Sequence, residues 1–224
     1  MRGEVQANVY LHEVLDLWFE EEVKPRLDGQ GTLVRYADDA VMVFTSGRDA
    51  QRVLEVLPRR LGKYGLALHP EKTRLVPFRS PRRGDGGGEE PGSFDFLGFT
   101  HYWGRSRKSR RVVKRKTAKD RFGRSLKRLS EWCRRFRHLR VRDQFKTLCK
   151  KLSGHDNYYG FPENRGALSR FHFEVGRVWR KWLGRRSQRG HISWSRFNDM
   201  LRAFPLPRPR CFDYGARRAA KPCS

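Results

Sequence analysis

The chain has 224 residues, enough for one large domain or two smaller ones around a buried core. Lys and Arg number 50 against 24 Asp and Glu, giving a net charge of +26 and a pI near 11.0, so a polyanionic partner is expected, nucleic acid ahead of an anionic membrane. No apolar run reaches about 18 residues and no signal-like stretch follows Met1, so a soluble, cytoplasmic protein is expected, with no membrane partner.

From Val5 to Val23, the apolar residues Val9, Leu11, Val14, Leu15, Trp18 and Phe19 recur at helical spacing until Pro25 stops the pattern. Asp28 to Gly31 read as a turn. Thr32 to Phe44, TLVRYADDAVMVF, then places two strand-forming runs on either side of two adjacent aspartates. A hairpin is expected, its turn holding Ala37, Asp38 and Asp39, with both carboxylates at the tip. Adjacent carboxylates repel each other, and a divalent cation such as Mg²⁺ relieves that repulsion. The plainer reading is that Asp-Asp is ordinary turn chemistry.

Ser46 and Gly47 introduce a helix over Arg48 to Tyr64, with Val53, Leu54, Leu57 and Leu61 on one face and Pro58 interrupting it. Arg74 to Phe78 read as a strand, Ser80 to Ser93 as a surface loop, and Phe94 to His101 as one short alternating strand. Lys72, at the entrance to the first of these strands, suits either a phosphate contact or a solvated surface. The densest positive charge lies between Arg105 and Arg128, where Asp120 is the single acidic residue. Arg105, Arg107, Lys108, Arg110 and Arg111, followed by Lys114, Arg115, Lys116 and Lys119, are the candidate nucleic-acid contacts. A solvated face is the alternative. The run leads into a helix with the stripe Phe122, Leu126, Leu129 and Cys133. Further helices are expected over Val141 to Leu152, Gly166 to Leu183 and Trp194 to Phe204. Cys133, Cys149, Cys211 and Cys223 show no C-x-x-C spacing and the histidines no paired pattern, so neither zinc nor a disulfide framework is expected.

The Tyr36-Ala37-Asp38-Asp39 tetrapeptide between apolar strands resembles the catalytic hairpin of reverse transcriptases. In its longer form, Leu33 to Asp39, it is similar to that of bacterial group II intron reverse transcriptase/maturases. Other blocks resemble the same family in the same order: Gln6 to His12, Leu66 to Thr73, Phe96 to Phe99, Leu152 to Gly160, Trp182 to Gln188 and Phe204 to Arg210. His69 departs from the Asn common in the second of these.

The resemblance implies an α+β fold: a partial reverse-transcriptase palm over residues 1–103, a basic α-helical thumb/maturase domain over 104–210, and a tail over 211–224. It implies RNA-directed DNA polymerisation by a two-metal Mg²⁺ site with Asp38 and Asp39 as ligands. It also implies primer contacts from Tyr36, Ala37, Leu97, Gly98 and Phe99, and binding of group II intron RNA for splicing. The family's fingers and first palm Asp precede the blocks matched here. The isolated chain is therefore expected to be impaired unless an upstream reverse-transcriptase fragment or a second copy complements it. A non-catalytic RNA-binding maturase remnant is the alternative.

Overall fold

The computed structural model describes residues 2–80, 92–106, 108–187 and 190–212. The chain is α+β and divides into two compact units, Met1–Leu97 with Arg105–Arg111, and Gly98–Gly104 with Val112–Ser224.

The first unit opens with α1 (Arg2–Leu11), which passes into a π-helix over His12–Val23. The α-helix expected as far as Val23 therefore ends early. Val14, Leu15, Trp18, Phe19 and Val23 are all buried, at intervals of four to five residues, and a turn widened to i→i+5 bonding keeps them facing one core. The Lys24 N–H donates to the carbonyl of Phe19 in that pattern. Strands β1 (Gly31–Tyr36) and β2 (Asp39–Phe44) pair antiparallel, and α2 (Gly47–Gly62) follows. The Ser46 hydroxyl caps α2 by accepting from the Asp49 N–H at 3.3 Å. Pro58 does not end α2, which continues to Gly62 with Leu57 and Leu61 buried. Val53, Leu57 and Leu61 pack against the π-helix, while Leu33, Met42 and Phe44 close the core from the hairpin.

No strand forms at Arg74–Phe78, contrary to expectation. Pro77 has no N–H to give to a ladder, and its carbonyl instead accepts one bond from Gly92 at 3.0 Å. Most of the loop expected over Ser80–Ser93 lies outside the described residues. The strand expected over Phe94–His101 is split into β3 (Phe94–Phe96) and β4 (Phe99–Arg105). Leu97 and Gly98 have φ of 49° and 78°, and two consecutive residues in that region make a tight turn rather than an extended run.

The second unit begins with β4 and β5 (Arg111–Thr117), which are sheet neighbours. The basic run continues into a helix as expected, with Leu129 and Cys133 buried, but Arg111–Thr117 before it is extended. Its β-branched Val112 and Val113 favour that state. Then come α3 (Lys119–Arg135), α4 (Val141–Tyr159), α5 (Arg165–Leu183) and α6 (Trp194–Ala203). α4 runs through Ser153–Tyr159, a stretch expected to lie between helices, because Leu148, Leu152, Asp156 and Tyr159 form one buried stripe. Leu129 and Cys133 of α3, Leu148 and Leu152 of α4, Phe171, Val175, Trp179 and Leu183 of α5, and Phe197 of α6 make the core. Gln144 is the polar hub within it. Its amide donates to the carbonyls of Arg137 and Leu139 at 3.1 and 3.0 Å and accepts from the Trp179 indole at 2.9 Å. Among the described residues no helix is long and apolar enough to cross a membrane.

Candidate active site

The β1–β2 register pairs Tyr36 with Asp39, Arg35 with Ala40 and Leu33 with Met42. Two residues, Ala37 and Asp38, therefore make the turn, and Asp39 is the first residue of β2 rather than part of the turn as expected. Ala37 has φ of 53°, the left-handed conformation that two-residue hairpin turns require and that an alanine adopts at a cost. Opposed residues share a sheet face. Leu33, Met42 and Phe44 face the core, and the other face presents Val34, Val43 and Tyr36 at 49%, 55% and 67% exposure beside Asp39. Both aspartates are exposed.

Gly31 and Arg35 hold this hairpin at its two ends. Gly31 is buried where any Cβ would run into Leu27, Phe19 and Phe44. At the turn, the Arg35 guanidinium binds Asp16 of the π-helix through two parallel bonds of 2.7 Å, and its third nitrogen donates to the Ala37 carbonyl at 2.9 Å and to Asn8 Oδ1 at 3.2 Å. The bonds from Arg35 hold the Asp16 carboxyl below its ordinary value of 3.8 against the opposing effect of burial, and His12 adds to the lowering. The same pairing raises the pKa of Arg35. Sequence reading missed this clamp. Asp16 and Arg35 are 19 positions apart, and only the fold brings them together.

Asp38 and Asp39 offer carboxylate oxygens to solvent. That donor set suits Mg²⁺, which takes one or two carboxylates and fills its remaining positions with water and substrate phosphate. Among the described residues no group of three or more His, Cys, Asp or Glu is gathered for a metal. The pair therefore fits a metal ion shared with substrate, and does not fit a closed protein cage.

The other expected contacts are placed separately. Lys72 is exposed, in a turn where its N–H and that of Thr73 both donate to the His69 carbonyl. Leu97 lies in the tight turn. The φ of 78° at Gly98 favours glycine, and a Cβ there would also sit tightly, at 3.2 Å, against the Tyr159 hydroxyl. The Phe99 side chain is buried against Tyr159, Phe161 and Leu168. Arg105, Lys108, Arg110 and Arg111 are exposed, and Arg107 lies outside the described residues. In the second unit, Lys114 and Arg115 are half-buried while Lys116 and Lys119 are exposed. Arg115 lies 3.8 Å from the Phe161 ring centroid, and Lys116 5.0 Å from that of Tyr102. Asn164 holds the end of β5. Its side chain accepts from the Thr117 N–H and donates to the Thr117 hydroxyl, both at 2.8 Å.

Residues 5–101 match the family model of the reverse transcriptase (RNA-dependent DNA polymerase). The matched stretch contains the whole hairpin with Asp38 and Asp39, and supports a reverse-transcriptase fragment within this chain. It covers a little under half of the 224 residues and ends before the basic strand β5. No curated protein matches the chain.

Proposed function

We propose that this chain is the palm-end and thumb portion of a group II intron reverse transcriptase/maturase. In this reading residues 1–103 are palm, 104–210 thumb and maturase, and 211–224 a tail, and the protein works in the cytoplasm. The observation that supports it best is the coincidence of the family match over residues 5–101 with a hairpin that presents Asp38 and Asp39 to solvent on a clamped turn.

Asp38 and Asp39 would hold Mg²⁺, which supplies charge neutralisation for the transferring phosphoryl group and for the attacking primer hydroxyl. Arg35 and Asp16 keep the turn from moving those carboxylates. Tyr36 and Ala37 lie beneath the primer end, with Lys72, Leu97 and the backbone of Gly98 and Phe99 as further contacts, the Phe99 side chain being buried. The basic residues from Arg105 to Lys119 bind RNA, both intron and primer–template. The further acidic ligand that two-metal chemistry takes would come from an upstream reverse-transcriptase segment or a second copy. A second reading, an RNA-binding maturase remnant without polymerisation, is favoured by the lack of any third acidic residue gathered with the pair among the described residues.

Primer extension on an RNA template in Mg²⁺, with Asp38→Ala run beside the unaltered chain, tests the first reading. Once an added upstream reverse-transcriptase fragment or a second copy supplies the further ligand, extension that Asp38→Ala abolishes is expected. Tight RNA binding without extension, unchanged by Asp38→Ala, would favour the remnant.

A further inference from the structure

Helices α3 and α5 pack side by side and leave along one flank an open groove of about 820 Å³. Leu126, Val178 and Trp182 give it an apolar floor. The Trp182 indole is held in place, donating to the Ser130 hydroxyl at 3.0 Å. Lys181 and Arg185 lie 5.4 and 5.3 Å from the centre of its ring.

Lys127, Arg134, Arg135 and Arg137 line the same groove, all exposed, against the single carboxylate of Glu131. Among the described residues none of these four makes an ion pair. The ion pairs of α3 gather at its start, where Arg121 and Arg124 share Asp120. Lys127 and Arg134 stand two helical turns apart, about 10 Å along the axis, on the face that α3 turns to the groove.

We propose that this groove binds a single-stranded segment of nucleic acid. Its phosphates lie on Lys127, Arg134, Arg135 and Arg137, and a base lies on the floor at Trp182. A row of cations over an aromatic floor fits a ligand that carries a flat apolar group for every charge. An acidic peptide would meet the cations and leave the floor uncovered, and a duplex keeps its base faces stacked inside. The inference shares with the proposed function only the premise that nucleic acid is the ligand, and needs neither Asp38 nor Asp39.

Fluorescence anisotropy of the full chain with a labelled 12-nucleotide uridine oligomer, read across a salt series, tests it. The double variant Lys127→Glu/Arg134→Glu should weaken binding at least about tenfold and reduce the logarithmic salt slope by about 1.4, two contacts at roughly 0.7 each for a single strand. Trp182→Ala should weaken binding about tenfold with the slope unchanged, and Trp182→Phe should restore most of it. Lys146→Glu/Lys150→Glu, on exposed positions of α4, makes the same change of charge elsewhere, and melting temperatures identify any variant that fails to fold.

Equal weakening by the groove and α4 pairs would overturn the groove as a site. So would a 12-base-pair RNA duplex or an oligoglutamate that binds more tightly than the single strand with the same dependence on Trp182. Loss of binding in Lys114→Glu/Lys116→Glu alone would keep the nucleic-acid reading and reject the groove. No oligomer binding by the unaltered chain would reject both.

Discussion

The hairpin and the helical unit hold their candidate functional residues in opposite ways. Asp38 and Asp39 sit at the exposed end of a two-stranded sheet, kept in place by one packed face and one arginine clamp. The cations of α3 stand on a helix whose other face is locked into a four-helix core around Trp179 and Gln144. In the proposed reading, a site that meets a metal ion and reacting phosphate gives up burial and relies on a few charge-assisted bonds. A site that only has to present charge can rest on redundant packing. Damage should therefore be graded by stability in the second unit and by geometry in the first.

The largest effect is expected from Trp179→Ala. It removes a fully buried side chain and leaves the Gln144 oxygen without its indole partner, at a cost of about 3–5 kcal/mol to the helical unit. Hydrogen exchange should show lost protection in α3 to α5, with the amides of β1 and β2 little changed. Equal loss in both would erase the contrast.

Acid should separate the two regions next. His155 stacks on Phe171 with ring centroids 3.8 Å apart, and burial pushes it down from 6.5 to about 4. A histidine kept neutral by the fold stabilises fully above its unfolded value, so the helical unit should weaken as pH falls from about 6.5 to about 4. The hairpin clamp follows the opposite group. Asp16, lowered from 3.8, keeps its contribution until pH falls below that value. Thermal melts from pH 7.5 to 4.5 should show the decline, and His155→Phe should flatten it.

The smallest change in stability, about 1 kcal/mol, is expected from Arg35→Lys, which keeps the charge and loses the two-pronged bond to Asp16. Its effect on function should be out of proportion. Mg²⁺-dependent extension by the complemented chain should fall about tenfold or more while the melting temperature moves by a few degrees. A proportionate loss of both would mean that the clamp serves folding alone.

Much of this was legible in the residues. The β-branched, aromatic and apolar runs of TLVRYADDAVMVF announce the strands, and the stripe through Leu129 and Cys133 announces a helix, because both patterns are local. What escaped depends on geometry that no local pattern carries. Apolar spacing alone does not separate an α-turn from a π-turn when both bury Val14 and Trp18. Phe94 to His101 alternates evenly, and the break at Leu97–Gly98 rests on two positive φ angles. The Asp16–Arg35 clamp joins residues 19 apart, and the groove of α3 needs Trp182 from a helix far along the chain. Charge raised the expectation of a polyanion; only packing showed where an aromatic floor lies beside the cations of α3.

Among the described residues each strand of the hairpin has a neighbour on one side only, and its outer face carries Val34, Val43 and Tyr36. Open ladders of this kind recruit strands from other copies. The +26 charge opposes that encounter by mutual repulsion, which reaches about 10 Å at 0.1 M salt and about 3 Å at 1 M. Colloidal stability of the free protein is thus tied to ionic strength: added salt removes the barrier that keeps the molecules apart.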